Sequence, residues 1–315
     1  MALVTLKEIL KDADEKKYAV GLFNTINLEM VRAIIGAAEQ EKSPVIIGLA
    51  EVHIPYGSLE TLAPIMVKAA KEAKVPVAVH FDHGMTFELI VKAMHLGFTS
   101  VMFDGSTLPY EENIATTAEY VKIAKVFGAS VEAELGHVGG AEGGGDDSYE
   151  SHYTNLEQAA DFVARTGIDA LAVAIGTAHG EYRTKPKLDL KRLRDIKARV
   201  NVPLVLHGGS GLSDDDFRNC IRNGISKINI FTDMSLSAVN TLRTELGYLS
   251  NSDDYATAKN KKEFIVETVT RKVKEELNMI PVKKVHYPNL INATVEGIKK
   301  EVVKKIRLFG SSNKA

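Results

Sequence analysis

Short apolar runs alternate along the chain with longer stretches of helical spacing. Eight runs predict strands: Tyr18–Asn24, Pro44–Ala50, Val75–Asp82, Ser100–Asp104, Ser130–Leu135, Ala170–Ile175, Val202–Leu206 and Lys227–Phe231. They are rich in Val, Ile, Leu and Ala and mostly lack polar alternation, as strands covered on both faces do. Between them, Leu28–Glu41 places Met30, Ile34, Ala37 and Ala38 near one helix face, and Tyr110–Phe127 and Asn155–Arg165 repeat the spacing. Ser213 followed by Asp214, Asp215 and Asp216 reads as a helix start, with acids at the positive end of the dipole. Alternating elements imply parallel βαβ units. Eight of them predict an α/β fold of the (β/α)8 TIM-barrel type with additional C-terminal helices. A doubly wound open sheet is the alternative, but no G-x-G-x-x-G follows the first strand to support it.

Two segments break the rhythm. Residues 137–154 are glycine-rich and acidic with no core pattern, which predicts a functional loop or lid. Phe264, Val266, Val269, Val273 and Leu277 predict a long helix with Pro281 beyond its end, and a second helix follows at Asn289–Leu308. The expected organisation is one barrel over residues 1–315, with a helical extension from about 244 to 315. That extension would serve dimer contacts or cap the barrel bottom.

Composition narrows the function classes. The 315 residues are 45% hydrophobic, and a barrel of this kind needs about 250 residues. A formal net charge of −2 argues against nucleic acid as a partner. The one cysteine, Cys220, allows no intrachain disulfide. No run approaches the ~18 apolar residues of a membrane span, and the charged N-terminus lacks a signal-peptide core. A cytoplasmic protein with no membrane partner is expected, as a homodimer or homotetramer.

Barrel enzymes carry their chemistry at the C-terminal ends of the strands. Five of the nine histidines fall there: His53, His83, His137, His179 and His207. Three histidines and an open position make a catalytic zinc site. Spacing does not choose the three, and any one of them could be an ordinary packed histidine. The run His207-Gly208-Gly209-Ser210-Gly211 offers backbone N–H groups and a following helix N-terminus to a phosphate, although tight turns use the same residues. Asn229 and Thr232 close strand eight at the same end. Asp82 could move a proton or brace a turn. Glu142 could close over a substrate or remain a solvated loop charge. Glu132 and Glu134 share one strand face, and if buried they need a metal or a lysine. No strand end carries a lysine, and Lys227 is expected to face the barrel bottom. The expected electrophile is therefore a metal, not an imine.

At these residues the chain resembles the class II, zinc-dependent ketose-bisphosphate aldolases of the fructose- and tagatose-bisphosphate type. The resemblance runs from Leu6 to the final RLFGSSNKA, through GLFNTIN, HFDHG, LGFTSVMFDGS, LPYEENI, VEAELGHVGGAEGG, GTAHG, PLVLHGGSG and KINIFT. It implies zinc on His83, His179 and His207, which sets His53 and His137 aside. Asp104 and Glu134 match carboxylates near an alternative metal position. Asp82 matches the residue exchanging a proton at the aldehyde oxygen, and Glu142 the loop glutamate that moves a proton at the nucleophilic carbon. Asn24 matches an active-site asparagine. Gly180, Gly208, Gly209, Ser210, Asn229 and Thr232 match positions that bind dihydroxyacetone phosphate. A monovalent cation, Na+ or K+, is implied near Gly180 and Gly208. The implied reaction is reversible cleavage of a ketose 1,6-bisphosphate, of the fructose or tagatose type, into dihydroxyacetone phosphate and an aldehyde such as glyceraldehyde 3-phosphate. An aldolase for a different ketose phosphate, or a non-catalytic sugar-phosphate-binding subunit, is the alternative.

The chain also departs from the pattern. Ala50 stands at a common serine, Phe231 at a common aspartate, Thr107 at a common histidine and Arg183 at a common lysine. Ile291-Asn292-Ala293-Thr294-Val295 replaces a C-terminal P-A-R-E-A. Arginine suits bidentate phosphate contacts, so its loss puts the expected second phosphate in question.

Overall fold

The computed structural model describes residues 2–139, 153–180, 186–246, 270, 273, 276 and 285–315. Eight parallel strands close into a barrel in chain order. They are β1 Val20–Asn24, β2 Val45–Ala50, β3 Val77–Gly84, β4 Ser100–Phe103, β5 Ser130–Leu135, β6 Ala170–Val173, β7 Leu204–Leu206 and β8 Ile225–Ile230. The pairing of Val20 with Lys227 and Leu22 with Asn229 closes β1 on β8, so the sheet has no open edges and the doubly wound alternative falls. A helix follows every strand: α2 Leu28–Glu41, α3 Leu59–Glu72, α4 Phe87–His95, α5 Tyr110–Phe127, α6 Leu156–Thr166, α7 Leu190–Lys197, α8 Asp214–Arg222 and α9 Thr232–Glu245. The helix periodicity at 28–41 and 110–127 is realised over those spans. Asn155 caps α6, and Ser213 opens α8 with a capping box to Asp216.

Two apolar layers hold the barrel. The outer one lies between strands and helices and includes the fully buried Phe23, Phe81, Phe162 and Phe217. The inner one fills the lower barrel with Val20, Leu22, Ile46, Ala78, Met102, Ala170, Ala172 and Val205. An N-terminal helix, α1 Leu6–Lys16, closes the bottom by setting Leu6, Ile9, Leu10 and Ala13 on that inner layer. Each buried Leu or Ile there is worth ~1.5–3 kcal/mol. Thr5 and Glu8 form its capping box.

The last helix, α10 Tyr287–Phe309, does not cap the barrel bottom, one of the two roles expected for the extension. It packs against α2 and α9 on the barrel's outer wall and buries Val295, Ile298, Val302, Ile306 and Phe309. The bottom was already occupied by α1. Arg307 holds Glu41 at the end of α2 with Nε 3.0 Å and Nη2 2.9 Å from its two oxygens. The helix predicted through Phe264–Leu277 lies outside the described residues except for positions 270, 273 and 276. Among the described residues no helix is long and apolar enough to cross a membrane.

Candidate active site

The C-terminal mouth of the barrel gathers most of the polar residues singled out above. A local irregularity on β3 builds its centre. β3 pairs with β4 through His80↔Ser100 and Phe81↔Val101, then jumps to Gly84↔Phe103. His83 sits at φ 45, in the left-handed region. On a regular pleat Asp82 and His83 would point to opposite faces. The extra residue and the left-handed backbone re-aim the strand, and both side chains are buried inside the mouth.

His83, His179 and His207 converge there, with donor atoms all within 4.8 Å of one another. Their rings stand nearly perpendicular, His83 to His207 at 86° and His83 to His179 at 80°. Carboxylates hold two of them from behind. His83 Nδ1 lies 2.8 Å from Asp104 Oδ2, and His207 Nε2 lies 2.8 Å from Glu132 Oε1. The opposite nitrogens, His83 Nε2 and His207 Nδ1, face each other at 2.7 Å. A carboxylate behind each imidazole is the usual way that metal-binding histidines are oriented. His83, Asp104 and Glu134 form a second donor set sharing His83. Glu134 Oε2 is buried with no hydrogen-bond partner among the described residues.

Electrostatics favour a cation here. Among the described residues, Asp82, Glu132 and Glu134 are buried beside Asp104, against one lysine, Lys227. Burial pulls the His83 imidazole down, but Asp82 and the hydrogen-bonded Asp104 outweigh it and raise it to about 10. The same field that favours an imidazolium favours a bound dication. Burial depresses His179 well below the ordinary range, with His83 adding to it, and burial also lowers His207. Both rings are thus neutral, the form that binds metal. Burial would raise Asp82, yet His83, His80 and Lys227 together hold it well below the usual carboxylate range. Burial and Asp104 push Glu134 well above that range. The donor set fits a zinc ion, which takes imidazole nitrogen and carboxylate oxygen in such sites.

Asp82 is held from two sides. Asn24 Nδ2 donates to its Oδ2 at 2.8 Å, and Asn229 Nδ2 lies 3.0 and 3.1 Å from its two oxygens. A pocket beside it is lined by Asn24, His179, Gly180, Gly208, Gly209, Ser210, Asn229, Phe231 and Thr232. Gly208 has φ 64, and a Cβ there would overlap the Ala178 carbonyl. The helix end facing this pocket is that of α9, whose first residue is Thr232, and not that of α8. The α8 N-terminus is taken by the Ser213 cap and three aspartates, which repel an anion. Phe231 lies against His53 with ring centroids 4.1 Å apart.

Other candidates fall outside the cluster. His137 Nδ1 lies 2.9 Å from Ser106 Oγ. Glu142 and Arg183 lie outside the described residues. Lys227 is a correction: β8 starts at Ile225, two residues earlier than expected, so Lys227 shares the inner face with Asn229 and lies buried within the barrel. Its Nζ sits 2.8 Å from both Glu132 Oε2 and Asn229 Oδ1. His80 was missed. Its Nδ1 lies 2.6 Å from Ser100 Oγ, and its Nε2 lies 3.6 Å from Asp82 Oδ1. Its place two residues before Asp82, on the same strand face, was the signal that could have found it.

A closed barrel with converging imidazoles and a braced carboxylate at its mouth defines a metal-type barrel enzyme. The comparisons then name the kind. Residues 4–314 match the family described as fructose-bisphosphate aldolase class-II, and the chain belongs to that family of carbon–carbon lyases. It is 45% identical, over 100% of both chains, to a Bacillus subtilis (strain 168) protein named "Probable fructose-bisphosphate aldolase". It is 43% identical to the 6-phospho-5-dehydro-2-deoxy-D-gluconate aldolase of Halalkalibacterium halodurans, over 87% of this chain and 96% of that one. The crystal structure of the YdjI aldolase from Escherichia coli K12 superposes with a TM-score of 0.78 at 34% identity, covering 99% of each chain.

Proposed function

We propose that this protein is a zinc-dependent aldolase that cleaves a phosphorylated ketose to dihydroxyacetone phosphate and an aldehyde, and runs the reverse condensation. The observation carrying this reading is the convergence of His83, His179 and His207 beside the braced carboxylate of Asp82. These three imidazoles would hold the zinc, with Asp104 and Glu134 as a second position. A bound zinc supplies Lewis-acid polarisation of the substrate's ketone. Asp82, ionised and held by Asn24 and Asn229, takes the hydroxyl proton as the carbon–carbon bond breaks, and returns it in condensation. Glu142 hands a proton to the carbon left behind. Gly180, Gly208, Gly209, Ser210 and Thr232 receive the phosphate, with α9's N-terminus behind them, and backbone oxygens near Gly180 and Gly208 suit a Na+ or K+ ion. The chain acts as one barrel unit over residues 1–315, with its helical extension from about residue 244.

The aldehyde half departs from the pattern of a bisphosphate site. The Phe231–His53 stack presents an aromatic wall at the mouth where the family pattern has an acid. That observation favours a ketose phosphate other than fructose 1,6-bisphosphate.

Zinc-loaded protein, with and without chelator, is to be incubated with a panel of ketose mono- and bisphosphates, and release of dihydroxyacetone phosphate followed by a coupled assay. Chelator-sensitive release from one compound is expected and names the substrate. Release unaffected by chelator, or none from any ketose phosphate with metal bound, would overturn the proposal.

A further inference from the structure

Lys227 places a full charge inside the barrel, fully shielded from solvent. The inner layer beneath it is apolar, with Val20, Leu22 and Val205 among its members. Burying an ion pair costs several kcal/mol per ion, and packed hydrophobic side chains of similar volume serve stability as well or better. Stability therefore does not explain the pair of Lys227 and Glu132. What the pair touches does.

Two chains of contact leave the ammonium. The first passes through Glu132, whose oxygens lie 2.8 and 3.1 Å from Lys227 Nζ. Glu132 Oε1 lies 2.8 Å from His207 Nε2, which leaves His207 Nδ1 turned toward His83. The second passes through Asn229, whose Oδ1 lies 2.8 Å from Nζ. A lysine ammonium only donates. Asn229 must therefore give it the carbonyl oxygen, and its NH2 group is forced toward both oxygens of Asp82. An asparagine amide alone has two nearly equivalent orientations, and the lysine selects one.

We propose that Lys227 is a positioning residue for the aldol reaction: from beneath the site it fixes the ring of His207 through Glu132 and the amide of Asn229 against Asp82. One charge thereby keeps the metal-holding side and the proton-handling side of the mouth in register. The proposal rests on the reading of His83, His179 and His207 as metal ligands.

The test compares wild type with Lys227→Met and with the neutralised pair Lys227→Met/Glu132→Gln. Each is measured for zinc affinity by chelator competition, for the ligand-field spectrum of the cobalt-substituted protein, and for kcat and KM separately. Lys227→Met should shift the cobalt bands and lower zinc affinity about 10–100-fold, the usual cost of losing an outer partner of a ligand. The double variant leaves no unpaired buried charge and should recover thermal stability. Its kcat should stay at least about tenfold low, with KM little changed, because nothing then orients Asn229. Recovery of kcat together with stability in the double variant would show a purely structural pair and overturn the proposal. So would a Lys227→Met protein with wild-type cobalt spectrum, affinity and kcat. Should both variants fail to fold, isotope-labelled histidine in the wild-type protein reads the tautomer directly by NMR. His207 protonated at Nε2 supports the proposal, and His207 protonated at Nδ1 overturns it. A His179→Ala control separates the two readings. Unchanged zinc affinity in that variant sinks the ligand assignment itself. Lost affinity there, beside a fully active double variant, sinks only the role of Lys227.

Discussion

Asn24 Nδ2 donates to Asp82 Oδ2 across 2.8 Å, from β1 to β3, although the two residues lie 58 positions apart. With Asn229 on the other side, this leaves the Asp82 carboxylate aimed into the mouth and ionised. Asp82→Asn removes the proton acceptor while keeping shape. It should lower kcat about 10²–10⁴-fold, the usual contribution of general acid–base groups, with zinc content retained. Steady-state kinetics beside metal analysis checks this. A variant with near-native kcat would remove Asp82 from the chemistry.

Metal binding should be visible in stability. A ligand present at 100 times its dissociation constant stabilises the native state by about 2.7 kcal/mol. Adding zinc to metal-stripped protein should therefore raise the melting temperature. In His179→Ala, which loses one of the three converging imidazoles, the rise should shrink or vanish. An equal rise in both proteins would place the zinc elsewhere.

Gly208 tests the phosphate pocket. A side chain there meets the Ala178 carbonyl and must also adopt φ 64. Gly208→Ala should cost about 1 kcal/mol or more of stability and raise KM for the phosphorylated ketose about tenfold. The comparison of KM with that for an unphosphorylated analogue isolates the pocket. An equal rise for both compounds would count against a phosphate cradle.

The tie between α2 and α10 predicts a pH dependence. Hydrogen bonds from Arg307, more than any opposing effect of burial, hold Glu41 below its ordinary value of 4.5. Its folded-state pKa is depressed, so the stabilisation is complete above the unfolded value and is lost as pH falls through the folded one. Arg307 is largely exposed, which limits the pair to about 0.5–1 kcal/mol. Glu41→Gln should be less stable than wild type by that amount near neutral pH. The gap should narrow below about pH 4, as read from urea unfolding midpoints. A gap that widened in acid would refute the assignment.

The barrel was legible because its strands are buried on both faces and so read as unbroken apolar runs. Even the helix bounds at 28–41 and 110–127 follow from periodicity alone. What the pattern concealed was depth along the strand. Placing the start of β8 two residues late moved Lys227 from the interior to the barrel bottom, although the true alternation of 225, 227 and 229 sets it beneath Asn229. The convergence of three histidines was equally hidden, because β3, β6 and β7 each contribute one and no local spacing links them. His83 adds a further reason: its inward direction depends on a bulge and a positive φ that nothing in HFDHG announces. Leu6, Ile9, Leu10 and Ala13 fall at helical spacing, but periodicity marks a helix and not the end of the barrel it closes, so the role of α1 was not legible.

That first helix has a consequence for traffic. With Leu6, Ile9 and Leu10 seated in the lower end, the barrel is a vessel with one opening, and whatever reaches Lys227 arrives through the mouth past His179. A substrate lodged there acts as a cork. Lys227, wholly buried beneath Glu132 and Asn229 even with the mouth empty, should stay closed to small acylating reagents throughout the cycle.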